Sequence, residues 1–155
     1  MMTGTVQKSM FSGTFSPRVS LLAVLPALLC CAFVWPFSGW KTMSMMSGST
    51  TPGAQGTVKF KVGDNGNTEL VIKAQSLAQP SSLTPPENHY VVWIQPPGQD
   101  AKDLGAFKVG GKEQGELKAV TPAKRFKIFI TAEQNVDESA PMGPTVLSAN
   151  VMQGS

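Results

Sequence analysis

The sequence is poor in the side chains that do chemistry. Its 155 residues hold one His and two Cys, and the two Cys are neighbours, Cys30 and Cys31. One imidazole and two adjacent thiols cannot assemble a metal site or a disulfide framework. A copper-type site would want two His and a Cys near a Met, and no Cys follows Cys31. Ser and Thr are plentiful, but no base is paired with an acid beside one of them to activate it. Gly110-Gly111 lacks the strand-to-helix context of a phosphate loop. These absences predict a protein that is not an enzyme and holds no metal or cofactor. Acidic residues are missing as well, from one region. Before Gly53 the only charged residues are Lys8, Arg18 and Lys41; from Gly53 onward ten basic residues meet ten acidic ones. The formal charge of +3 therefore belongs to the N-terminal segment, and the rest has no surplus with which to bind nucleic acid.

What is there begins with an apolar run. No charged residue falls between Val19 and Trp40, a length that suits a helix crossing the hydrocarbon core of a bilayer. Arg18 and Lys8 precede it with no acid, and Trp35 and Trp40 stand at its far end, where indole rings favour the interface. The expected organisation is a cytoplasmic tail over 1–18, a transmembrane helix or signal anchor over 19–40, and export of everything beyond. A cleaved signal peptide is the alternative, then lipidation. Cys30-Cys31-Ala32 and Ser47-Gly48-Ser49 are the candidate cleavage sites, and Leu29 stands where a lipoprotein box wants a small residue. Residues 41–55, with no charge after Lys41 and few bulky side chains, read as a flexible linker.

From 56 to 152 the period is two. Val58, Phe60 and Val62 alternate with Lys59 and Lys61, Gly63-Asp64-Asn65-Gly66-Asn67 supplies an Asn-Gly hairpin signal, and Leu70, Ile72 and Ala74 alternate on the return. A loop holding Pro80, Pro85 and Pro86 follows. His89 to Gln95 is nearly all apolar, as a strand covered on both faces would be. Further strands are expected at Leu104–Val109, Leu117–Val120, Arg125–Ala132 and Thr145–Val151. Seven short strands with turns between them and no helical period predict an all-β fold, an antiparallel two-sheet β-sandwich of immunoglobulin-like kind.

Few residues invite a binding role. Trp93, on the strongest strand, is expected at the centre of the core. Phe129 falls on the outward face of its strand, between Lys127 and Thr131, which makes Trp93, Phe129 and Lys127 the candidate interaction surface. Lys124-Arg125 with Lys127 reads as a solvated strand face whose charge also suits anionic headgroups. His89 is expected to be structural or merely exposed.

Several pieces recur in a fixed order: Tyr90-Val91-Val92-Trp93-Ile94, Gly98, Leu104-Gly105-Ala106-Phe107, Ile128-Phe129-Ile130-Thr131-Ala132-Glu133 and Pro141-Met142-Gly143-Pro144-Thr145. The series resembles the exported C-terminal domain of anti-sigma-K factors, single-pass bacterial membrane regulators. The residues that carry the likeness are Tyr90, Trp93, Gly105, Phe107, Thr131, Glu133, Gly143 and Pro144. The resemblance implies a domain outside the cytoplasm, held at the bacterial plasma membrane, which controls the release of a sigma factor through protein contacts. At most 18 residues precede the apolar run, too few for a sigma-binding domain of several helices, so that activity is not carried over. The expectation is a membrane-anchored regulatory module with a protein partner and the lipid bilayer as its contacts, bound to neither nucleic acid nor metal. The alternative is a secreted or periplasmic module binding a glycan or peptide.

Overall fold

The computed structural model describes residues 39–152. The expected cytoplasmic tail and all of the membrane run except Gly39 and Trp40 lie outside the described residues. Among the described residues no helix is long and apolar enough to cross a membrane.

Eight antiparallel strands make up the fold: β1 (Lys41–Ser47), β2 (Gln55–Val62), β3 (Thr68–Gln75), β4 (His89–Gln95), β5 (Lys102–Phe107), β6 (Gly115–Thr121), β7 (Arg125–Glu133) and β8 (Thr145–Met152). They hydrogen-bond in the order β5-β4-β7-β8-β1-β2-β3-β6, one continuous array that curls until it is nearly a barrel. All-β, antiparallel architecture was legible from the alternation. The count was not: seven strands were expected and eight are present.

The extra strand lies in the segment read as a linker. Residues 41–45 of β1 pair with β2, and Met46 and Ser47 pair with β8, so β1 joins the two halves of the array. Its Met45 is buried, and the turn after it is anchored by Thr51, whose hydroxyl donates to the Val146 carbonyl at 3.2 Å. Residues 41–55 are therefore structured, and the folded domain starts at Lys41 rather than at 56. The physical reason is plain in retrospect. Met43 and Met45 alternate with Thr42, Ser44 and Met46, a period of two written in unbranched side chains that fill gaps as well as Val or Ile do.

The turn joining β2 to β3 runs over Gly63–Asn67, and of its residues only Gly66 has positive φ, 76°. The Gly63 amide donates to the Asn67 carbonyl and the Asn67 amide to the Asn65 side chain. The hairpin signal was correct, but the turn is wider than a two-residue one. Val62, expected inward, ends the strand exposed. The Pro-rich connection from β3 to β4 carries a short 3-10 turn at Pro80–Ser82 and tucks Leu77 and Leu83 into the core.

The core holds Val58 and Phe60 of β2, Leu70 and Ile72 of β3, Tyr90, Val92 and Ile94 of β4, Phe126, Ile128 and Ile130 of β7, and Val146, Leu147 and Val151 of β8. Fully burying such side chains is worth about 1.5–3 kcal/mol each against leaving them in water. The opposite face of β4 and β7 is dry too: Val91, Trp93 and Phe129 form a second cluster, joined by Ala101. Trp93 is thus buried as expected but not where expected. It lies outside the main core, on the other side of the sheet.

Candidate functional site

The second cluster gathers most of the residues singled out by sequence. Trp93 and Phe129 are cross-strand partners on β4 and β7, and Val91 is paired with Thr131. Two residues further along β7 stands Glu133, on the same outward face. From these side chains a polar chain is built. The Trp93 indole N–H donates to the Thr131 hydroxyl at 2.7 Å, and that hydroxyl donates to Glu133 Oε1 at 2.5 Å. The carboxylate accepts in turn the Gly143 amide at 2.9 Å and the Met142 amide at 3.2 Å. Thr131 and Glu133 are each 1% exposed. A buried carboxylate is costly unless donors surround it, and here one hydroxyl and two backbone amides do so.

The loop before β8 owes its path to this carboxylate. Gly143 passes so close to β7 that a Cβ would sit 1.6 Å from the Ala132 carbonyl oxygen, so only glycine fits. Pro144 follows and its carbonyl accepts the Ala132 amide at 3.0 Å. On the other edge of β4, the pairing with β5 shifts register between Val92 and Trp93. Gly105 absorbs that bulge with φ of 124°, its amide donating to Asp103 Oδ1 at 2.5 Å.

The residues that carry the resemblance divide as follows. Trp93, Thr131, Glu133 and Gly143 lie in one hydrogen-bonded chain, and Pro144, next to Gly143, accepts the Ala132 amide on β7. Gly105 shapes the bulge beside it. Tyr90 and Phe107 face the main core instead, Tyr90 with its hydroxyl donating to the Ala78 carbonyl at 2.9 Å. Burial pushes the Tyr90 phenol up to about 12. Position alone does not make this arrangement catalytic: the Thr131 hydroxyl, though beside a carboxylate, is shut away from any substrate.

The candidate interaction surface of Trp93, Phe129 and Lys127 needs correction. Trp93 is fully buried and Phe129 is 5% exposed, with Lys127 Nζ 4.9 Å from the centre of the Phe129 ring. Lys127 alone of the three is open to solvent. An aromatic platform for a glycan or peptide is therefore not presented by these residues. His89 is exposed at the start of β4, and among the described residues no group of three or more His, Cys, Asp or Glu is placed to hold a metal ion.

Sequence reasoning missed two features. The first is the tie between the Pro-rich loop and the end of β7. There the Gln134 side chain donates to Glu87 at 2.7 Å and to the Pro86 carbonyl, while Asn88 donates back to Gln134. Nothing in the spacing of these residues announces it. The second is a pair of open clefts flanking the Pro96–Gly98 turn, of about 640 and 510 Å³. The larger is lined by Gln95, Arg125, Lys127 and Asn150, the other by Lys102, Thr121, Lys124 and Arg125. The run Lys124-Arg125-x-Lys127 was the available signal. No protein-family model matches this chain and no curated protein does.

Proposed function

We propose that this protein is a non-enzymatic, single-pass membrane protein of the bacterial plasma membrane whose β-domain lies outside the cytoplasm. In this reading it acts through protein contacts in the regulation of sigma-factor-dependent transcription, in the manner of the exported half of an anti-sigma-K factor. The observation that carries the reading is the convergence of Trp93, Thr131, Glu133 and Gly143, drawn from three separate pieces of the motif, on one buried hydrogen-bonded chain. Such convergence gives the ordered motif a physical basis that chance matches lack. The uncharged run over 19–40, followed at once by β1, supports the tether.

The immunoglobulin-like sandwich belongs to the same proposal. Its architecture is supported by β1, which divides its pairing between β2 and β8 and marks a line where one sheet would give way to another. The chain order departs from that family: an immunoglobulin domain sets its second strand between the first and the fifth, whereas β2 lies between β1 and β3.

Two measurements test the function. On cell fractionation the chain stays in the membrane pellet through carbonate washing, and protease added outside the inner membrane digests the domain from Lys41 onward. In the same cells, deleting the gene changes the output of a sigma-factor-dependent reporter. Full-length protein in the soluble cytoplasmic fraction would overturn the tether; unchanged reporters for every alternative sigma factor would overturn the regulatory role.

A further inference from the structure

The chain enters the fold at one rim of the array. Trp40 and Lys41 begin β1 there, and the turns β2–β3, β4–β5 and β6–β7 all lie at that end, as does the end of β8. The ladder fixes their heights. Ser148 pairs with both Met46 and Phe129, and β1 and β7 run in the same direction. Lys41 lies five residues before Met46 and Arg125 four before Phe129. The two cations therefore stand within about one residue of the same level, ~3.4 Å along a strand. The Lys124 ammonium reaches across the rim to donate to the Gly66 carbonyl, and Lys61 lies over the Trp40 ring.

This rim is where the domain's balanced charge becomes uneven. Lys41, Lys61, Lys102, Lys124, Arg125 and Lys127 are on it, against Asp64, Glu69, Asp100 and Asp103. Glu69 is already paired with Lys61 at 2.9 Å, and Asp103 with the Gly105 amide. The rest of the described chain carries five Lys against six acids. Both clefts beside the Pro96–Gly98 turn are lined by cations, Lys102, Lys124, Arg125 and Lys127, and neither has a carboxylate in its lining.

We propose that the clefts beside the Pro96–Gly98 turn dock on anionic phospholipid headgroups, with Lys124, Arg125 and Lys127 as the contacting cations. The inference rests on the reading of 19–40 as a membrane span. In this reading the rim is the part of the fold that follows the span directly in sequence, β1 starting at Lys41, and lipid phosphates attract exposed cations over a Debye length, about 10 Å at ordinary ionic strength. Exposed cations within that distance are attracted, whereas the acids of the far end, a whole strand away, are screened from the surface.

The full chain, reconstituted into phosphatidylcholine vesicles with and without phosphatidylglycerol, tests this through brief lysine acylation read by mass spectrometry. Lys124 and Lys127 are expected to react about threefold more slowly in the anionic vesicles, with Lys73 and Lys112 unchanged and the difference erased by high salt. The R125E/K127E variant removes the protection of Lys124. Equal rates in the two vesicle types overturn the docking while leaving the tether standing. Protection produced in phosphatidylcholine by added inorganic phosphate would assign the clefts to a soluble anion and overturn it too. A chain that carbonate strips from both vesicles overturns the tether and the docking with it.

Discussion

The two outward faces of this one sheet are built on opposite principles. On β2, β3 and β6 the outward residues include Lys59, Lys61, Glu69, Lys73, Glu116 and Lys118, wet and, Lys59 apart, ion-paired, with Lys73 to Glu116 at 2.8 Å and Lys61 to Glu69 at 2.9 Å. On β4 and β7 they are Val91, Trp93, Phe129, Thr131 and Glu133, dry and joined by short hydrogen bonds to neutral donors. A wet face can lose any one side chain, because water replaces what is removed and exposed ion pairs are worth little. A dry face cannot, since each deletion leaves either a cavity or an unpaired buried group. Residues that specify a fold by position therefore gather on dry faces, as Trp93, Thr131 and Glu133 do here.

The largest effect that breaks this comparison is expected from Trp93→Ala. It empties a fully buried site and removes the indole donor to the Thr131 hydroxyl, and the loss should be about 4 kcal/mol of unfolding free energy by denaturant titration. Lys59→Ala, on the wet face, should fall within about 0.5 kcal/mol of the parent. Equal losses at the two positions would mean that the outward faces do not differ in kind.

The inner face of β4 offers a control that hydrogen bonding does not dominate. Tyr90 is the only Tyr, and burial raises its phenol from 10.0 to about 12. The sign follows: the folded state prefers the neutral form, so the contribution is whole below pH 10.0 and is lost as pH climbs through about 12. The loss across that window is on the order of 2 kcal/mol. Absorbance of the tyrosinate isolates this one group, and Tyr90→Phe should flatten the stability profile across that window.

How much of this was readable beforehand depends on how each element announces itself. Strands β2, β3 and β7 alternate apolar and charged residues, so their inner faces could be named residue by residue. β4 carries no such alternation, and its apolar run could say that both faces were covered but not which face Trp93 took. β1 was lost because its alternation is written in Met and Ser, which composition equates with a tether. The Trp93–Thr131–Glu133 chain left a trace as an ordered motif. Its logic, a loop fastened by two backbone amides, involves Met142 and Gly143 main-chain atoms that no side-chain pattern encodes. The rim clefts depend on turns meeting across the array, a property of topology rather than of any one segment.

A smaller effect separates connectivity from burial within the dry face. Thr131→Val keeps the shape and removes the hydroxyl; Glu133→Gln keeps the shape and removes the charge. Each alone should cost about 1–2 kcal/mol. Because Thr131 donates to Glu133 at 2.5 Å, their combination should fall short of the sum by about 1 kcal/mol. Strict additivity would mean that the chain of hydrogen bonds is a set of independent contacts.

The smallest effect belongs to the wet face and tests whether it is as forgiving as its exposure implies. Glu116 sits between two lysines, and the hydrogen bond from Lys73 holds its carboxyl below the ordinary value, with Lys118 adding a weaker pull. A lowered folded value means stability that is present above the unfolded carboxyl range and is lost as pH falls through the folded one. Lys73→Met should bring the Glu116 titration, followed by carboxyl NMR, back toward the usual range while the folded spectrum elsewhere stays the same. If that substitution instead disturbed the signals of Trp93 or Thr131, the wet face would be coupled to the dry one through β8 and β1, and the two faces could no longer be treated as separate.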